Sequence, residues 1–150
     1  MNMNPRVESK LLQRNVEYSV KKHSNFDTLI KSPTDFAEAL GYAKERITKT
    51  VLLKTSKGDQ LLMAVCSFTD KINMSSTSDI ATDVAQRFKL EPSRLQVASL
   101  DNLKQRVGYP PTGVSPLGVD TSIPIYVDSK LTKFDTVLIG GGEVGVEIEI

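Results

Sequence analysis

The sequence predicts an α+β fold, a mixed β-sheet with helices packed against it, on three observations. Helical and strand signals alternate irregularly along the chain rather than in a regular βαβ rhythm. Two apolar runs, at about residues 46–54 and 60–68, are joined by the short turn Ser56-Lys57-Gly58-Asp59 and read as an antiparallel hairpin. The last fifteen residues hold two further strand-like runs separated by three consecutive glycines. At 150 residues, with no internal repeat and no linker composition, the chain 1–150 reads as one domain able to bury a core without staples.

The elements follow in order. Residues 4–15 read as a helix, with Pro5 suited to its first turn and Val7, Leu11 and Leu12 as its apolar stripe. Tyr18, Val20 and Lys22 suggest a short strand, followed by a polar loop from His23 to Ser32. Ser32 caps the second helix, Pro33 fits its first position and Gly41 its end, and Phe36, Ala37 and Leu40 form its buried side. After the hairpin, residues 78–88 form a helix with Ile80, Val84 and Phe88 toward the core. A short strand at 94–99 and a short helix at 100–107, closed by Gly108, come next. Residues 108–118 hold three prolines and three glycines and so form an irregular loop. Strands then fall at 123–128, where Pro124 points to a strand start or an edge, at 136–139 and at 144–150.

Composition excludes several classes of function. One cysteine, Cys66, cannot form an internal disulfide, and one histidine, His23, cannot supply a histidine-rich metal site; a covalent triad would have to use His23 as its base, and no nucleophile-elbow pattern appears, which disfavours that chemistry. Cys66 lies in the apolar run 61–66, where a buried thiol acting as a small hydrophobe is expected. No apolar run is long enough to span a membrane, and the first residues lack the pattern of a signal peptide, so a cytoplasmic protein is expected. A net charge of +1 argues against coating nucleic acid by charge alone, but it permits a local basic patch.

The stretch Arg46-Ile47-Thr48-Lys49-Thr50-Val51-Leu52-Leu53-Lys54 carries the chemistry. Arg46, Thr48, Thr50 and Lys54 share a polar face on which only Leu52 is out of place, whereas Lys49 shares the other with Ile47, Val51 and Leu53. Its ammonium either snorkels to water along its stem or serves a cleft that holds an anion. Arg6, Lys10 and Arg14 repeat every four residues, as a solvated helix face or as a track for a phosphate backbone. Gly140, Gly142 and Gly145 spell G-x-G-x-x-G, yet no helix opens there and no acidic residue follows at the required distance, which argues against a dinucleotide site. Three glycines at a strand end either form a strained turn or expose backbone groups to a close ligand.

Ala39-Leu40-Gly41, Ile47-Thr48-Lys49-Thr50-Val51-Leu52, Gly113-Val114-Ser115-Pro116-Leu117-Gly118, Val127-Asp128 and the segment from Gly140 to Ile148 occur in this order along nearly the whole chain. In this ordered set the sequence resembles the YbaK-type family of aminoacyl-tRNA deacylases, related to the editing insertion of bacterial prolyl-tRNA synthetases. The resemblance implies an α+β fold with a mixed, partly barrel-like sheet and a cleft at Lys49. It implies a free-standing hydrolase, acting in trans, that cleaves the ester of a mischarged tRNA, with tRNA-Pro carrying cysteine or alanine as the expected substrate. Lys49 matches the essential lysine. Gly113, Ser115, Pro116 and Gly118, with Gly140, Gly141 and Gly142, match segments that shape the pocket around the aminoacyl group and terminal adenosine. His23 takes the place of an aromatic pocket residue, Glu147 that of an aspartate, and Thr112 that of a glycine in many relatives. No metal or cofactor is expected, and the expected partners are mischarged tRNA and prolyl-tRNA synthetase. The alternative is a binding module of the same fold, recognising tRNA or an aminoacyl nucleotide without turnover.

Overall fold

The computed structural model describes residues 2–150 and has two sheets rather than one. Helix α1 (Pro5–Gln13) starts where the Asn4 side chain accepts from the Arg6 N–H, with Pro5 at the first helical position. It buries Val7 and Leu11, while Leu12 is 65% exposed. The predicted stripe was one residue too wide, because at 100° per residue position 12 has turned well off the line of 7 and 11.

Strand β1 (Ser19–Lys22) leads through one tight turn at His23–Asn25 to α2 (Pro33–Leu40). The Ser32 hydroxyl accepts from the Asp35 N–H, and Gly41 closes α2 in the left-handed conformation at φ 72°. Strands β2 (Thr48–Thr55) and β3 (Leu61–Ser67) form the antiparallel hairpin, with Lys49 opposite Cys66. Helix α3 (Asp79–Phe88) is capped by Ser78 and buries Ala81, Val84 and Ala85; Ile80 and Phe88 pack only at its margins. Strand β4 (Leu95–Val97) precedes a single helical turn, α4 (Leu100–Asn102), which widens into a π turn at Leu103–Val107. Strands β5 (Ile125–Val127), β6 (Leu138–Gly140) and β7 (Val146–Glu149) complete the chain.

The larger sheet has the order β4-β2-β3-β5 and is mixed, since β5 runs parallel to β3 at its edge, next to Pro124. The smaller one, β1-β7-β6, is antiparallel. The expected barrel character is absent, because the two sheets meet at one parallel bridge, Ile47 with Leu138, and do not close. Beside that bridge the Leu138 carbonyl accepts from the Thr48 hydroxyl at 2.7 Å, and β6 ends two residues later at Gly140.

Arg46 strengthens the junction by donating from Nε to the Thr136 carbonyl at 3.0 Å and from Nη2 to Glu149 at 3.1 Å. Three apolar clusters result. One joins α1 to the smaller sheet and to Leu52 and Met63, a second joins α3 to Val51, Leu53 and Leu62, and a third joins Phe36 and Ala37 of α2 to Ile47 and Leu138. Leu52 is therefore not misplaced on a polar face: both faces of β2 are covered, and its side chain serves the first cluster.

Candidate functional site

Lys49 stands where two of these clusters meet. On its face of β2, Ile47 belongs to the α2 cluster, while Val51 and Leu53 belong to the α3 cluster. The half-buried lysine falls in the gap between them. That gap opens into a cleft of ≈ 470 Å³, of a size suited to a small ligand. Two residues past the Ile47–Leu138 bridge, on the two strands, come Lys49 and Gly140, and both line the cleft. Glu147 is the cross-strand partner of Gly140 and lines it as well.

The ammonium of Lys49 donates to the backbone carbonyl of Asp70 at 2.5 Å. The Asp70 carboxylate is engaged by Lys130 at 3.1 Å, so Lys49 is held by a neutral acceptor and its charge is not cancelled by an ion pair. Cys66, across the ladder from Lys49, is buried, and burial pushes its thiol pKa up although the nearby Lys49 charge pulls the other way. It is a packed thiol.

On the opposite wall the His23 Nε2 and Glu147 Oε2 lie 2.7 Å apart in a hydrogen bond. Three contacts fix His23: its N–H donates to the Gly145 carbonyl at 2.9 Å, its ring packs on Phe36 with centroids 4.4 Å apart, and its Cβ lies beside Gly145. Sequence reasoning placed His23 and Glu147 in the pocket separately. Their pairing was not visible, because 124 positions separate them and only the β1–β7 register brings them together.

The glycine segments divide by position. A Cβ at Gly140 would lie 2.0 Å from the Val114 carbonyl oxygen, so only glycine lets the 111–114 loop close onto the strand end. Gly142 and Gly145, with φ of 79° and 73°, form the turn into β7, and no helix opens there. Gly113 packs on the Glu143 backbone, Gly118 on Tyr109 and Arg6, Gly141 on Val146, and Gly142 on Asn4 and Tyr109. Ser115 is fully buried and accepts from the Leu117 N–H. Gly140 and Gly145 line the cleft, with Pro111, Thr112 and Val114 of the loop, whereas Gly113, Ser115, Pro116, Gly118, Gly141 and Gly142 do not.

The chain segment 30–33 before α2, with Phe68, Val144 and Val146, completes the lining and was not singled out from sequence. Its one usable signal was the Ser32-Pro33 helix start. Thr50 also lines the cleft, and its buried hydroxyl has no hydrogen-bond partner among the described residues.

The basic face of α1 is divided too. Arg6 donates to the carbonyls of Val107 (2.6 Å) and Gly118 (3.2 Å), and its guanidinium lies 4.3 Å from the Tyr109 ring centre. It pins the 107–118 loop to α1. Lys10 and Arg14 remain on the helix surface, apart from the cleft lining. Among the described residues, no group of three or more His, Cys, Asp or Glu side chains is placed to hold a metal, and no helix is long and apolar enough to cross a membrane.

A family model for the aminoacyl-tRNA editing domain matches residues 28–150. The chain belongs to the aminoacyl-tRNA editing domain family. Lys49, Gly140 and Glu147 lie within the matched span, whereas His23 and α1 precede it. Among solved structures, the chain is similar to a protein described as a candidate trans-editing enzyme for prolyl-tRNA synthetase, at 19% identity and a TM-score of 0.75, over 99% of this chain and 88% of that one. It is equally similar to hypothetical protein APE2540, at 19% identity and a TM-score of 0.75, over 97% and 87% of the two chains. These likenesses show the shared fold, which in this editing domain is α+β with the two sheets left open.

Proposed function

We propose that this editing domain is a free-standing hydrolase, acting in trans in the cytoplasm, that cleaves the ester between a wrong amino acid and the 3′ end of a tRNA. The expected substrates are tRNA-Pro carrying cysteine or alanine, with prolyl-tRNA synthetase as the source of the error. The observation that carries this reading is Lys49, an ammonium without an anionic partner among the described residues, in a cleft of ≈ 470 Å³. The similarity along nearly full length to a candidate trans-editing enzyme for prolyl-tRNA synthetase supports action in trans.

In this reading Lys49 leaves the Asp70 carbonyl to hold the terminal phosphate or the ester carbonyl, where a charge-assisted hydrogen bond is strongest. The Gly140 backbone, with the Val114 carbonyl packed where a side chain would point, borders the cleft where the ester carbonyl is placed. Water attacks the acyl carbon and forms the new C–O bond. The bond to the ribose oxygen breaks, and the proton lost by the water ends on that oxygen. The ≈ 470 Å³ cleft seats the aminoacyl group with its terminal adenosine, and Lys10 and Arg14 offer a backbone contact for the tRNA body.

A second reading, a binding module for tRNA or an aminoacyl nucleotide that does not turn over, draws on the engaged state of Lys49 at the Asp70 carbonyl. Hydrolysis assays on tRNA-Pro charged with alanine, cysteine or proline separate the two. Clearance of a mischarged species with Pro-tRNA-Pro spared supports the hydrolase; tight binding with no clearance of any species supports the module.

A further inference from the structure

Glu147 is an acidic residue in the cleft whose close side-chain partner among the described residues is His23. Its side chain is 16% exposed, and one oxygen, Oε2, is taken by His23. The other, Oε1, is engaged by no group among the described residues and is not sealed from solvent. The lysine that the register places directly across from it, Lys21, sends its ammonium instead to Glu149 at 3.7 Å. Lys22, next along β1, reaches Asn2. A carboxylate in so partly apolar a wall gains most from a cation that arrives with the ligand.

From this we infer that Glu147, oriented by His23, is the anchor for the α-ammonium group of the aminoacyl ester, and that the cleft therefore accepts only esters whose α-amino group is free. The inference rests on the aminoacyl-ester reading above and names the substrate class within it. Geometry supports it: Glu147 is the cross-strand partner of Gly140, Lys49 lies two residues past the bridge that joins β2 to β6, and all three line one cleft. An ammonium held at Glu147 carries the ester carbon, two bonds away, toward Gly140 and the reach of Lys49. An N-acylated ester, such as a peptidyl-tRNA or an initiator with a blocked amine, presents no charge to Glu147 and leaves its Oε1 without a partner in the cleft. Sites built around such a polar contact reject the ligand that lacks it. Glu147 touches substrate in this account, and His23 is a positioning residue.

The test compares two probes that cannot be hydrolysed, 3′-deoxy-3′-(L-alanylamino)adenosine and its N-acetyl derivative, by calorimetric binding. The wild type is expected to prefer the free amine by at least about tenfold. Glu147→Gln, which keeps the shape and loses the charge, should bind the two alike, and His23→Ala should narrow the preference. Equal binding of the two probes by the wild type, binding of neither, or a preference retained in Glu147→Gln would overturn the inference. Should Glu147→Gln fail to fold, the wild-type ratio still decides. A preference for the free amine with no clearance of any mischarged tRNA would remove the hydrolase reading and leave this one standing. Clearance with no preference would do the reverse.

Discussion

The ammonium of Lys49 rests on the backbone carbonyl of Asp70, 2.5 Å away, while the carboxylate of the same Asp70 is held by Lys130. The two lysines thus divide one aspartate, and the division keeps the Lys49 charge available. Removing Lys130 leaves the Asp70 carboxylate free to capture Lys49. Lys130 is itself largely exposed, and the aspartate raises its pKa first through their hydrogen bond and then by its charge. Exposed ion pairs add little stability. Lys130→Ala should therefore melt within about 2 °C of the wild type yet lose deacylation several-fold, read as kcat/KM on a mischarged tRNA. Unchanged kcat/KM would show that Lys130 does not guard Lys49.

Gly140 is the second point of sensitivity. A methyl group there meets the Val114 carbonyl oxygen, which is backbone and cannot rotate away. Gly140→Ala should push the 111–114 loop off the strand, lower stability by about 1–3 kcal/mol in urea unfolding, and reduce activity beyond that loss. The same change at Gly41, where a Cβ meets nothing, should cost only the strain of its left-handed backbone, about 1 kcal/mol, with activity intact.

Glu149 governs the acid limb of stability. Burial pushes its carboxyl pKa up, but hydrogen bonds from Thr136 and Tyr42 and the charges of Lys21 and Arg46 outweigh burial and hold it below the ordinary value. A carboxyl whose folded pKa is depressed stabilises the fold above its unfolded pKa, about 4.3, and that contribution is lost as pH falls through the folded value. Glu149→Gln should lower Tm at neutral pH by breaking the junction of the two sheets, and should flatten the decline of Tm below about pH 4.5. Thermal melts of both proteins at stepped pH read this directly; parallel Tm curves would contradict it.

On α1 the three basic residues should separate. Arg6→Ala loses two carbonyl contacts and the Tyr109 stack, and should destabilise by about 1–3 kcal/mol. Lys10→Ala and Arg14→Ala should leave Tm unchanged. If these residues meet tRNA phosphates, each should lower the salt dependence of tRNA binding by about one unit of slope.

Sequence carried the parts of the fold that local chemistry decides. Ser32, Pro33 and Gly41 bound α2 as helix-end chemistry requires, and the hairpin, the edge position of β5 beside Pro124 and the place of Lys49 on its strand follow from turn residues, proline and alternation. What failed depends on contacts between distant segments. Leu52 looked misplaced because a second sheet covers its face, and Arg6 looked like a free cation because the carbonyls it binds lie more than 100 positions away. The split into two sheets turns on the pairing of β2 with β6 stopping at the Ile47–Leu138 bridge, which leaves no pattern in sequence. In the site, Lys49 announced itself by breaking the alternation of an apolar face. The glycines announced an unusual backbone but not which of them borders the cleft, since Gly140 and Gly141 differ only in what packs above them.

The decisive measurement is single-turnover hydrolysis of Cys-tRNA-Pro and Ala-tRNA-Pro by the wild type and by Lys49→Ala, with melting curves of both proteins. The expected result is a loss of at least about 10²-fold in rate for a variant that melts like the wild type, as for removal of a transition-state donor. A folded Lys49→Ala that clears either substrate at the wild-type rate would contradict the account.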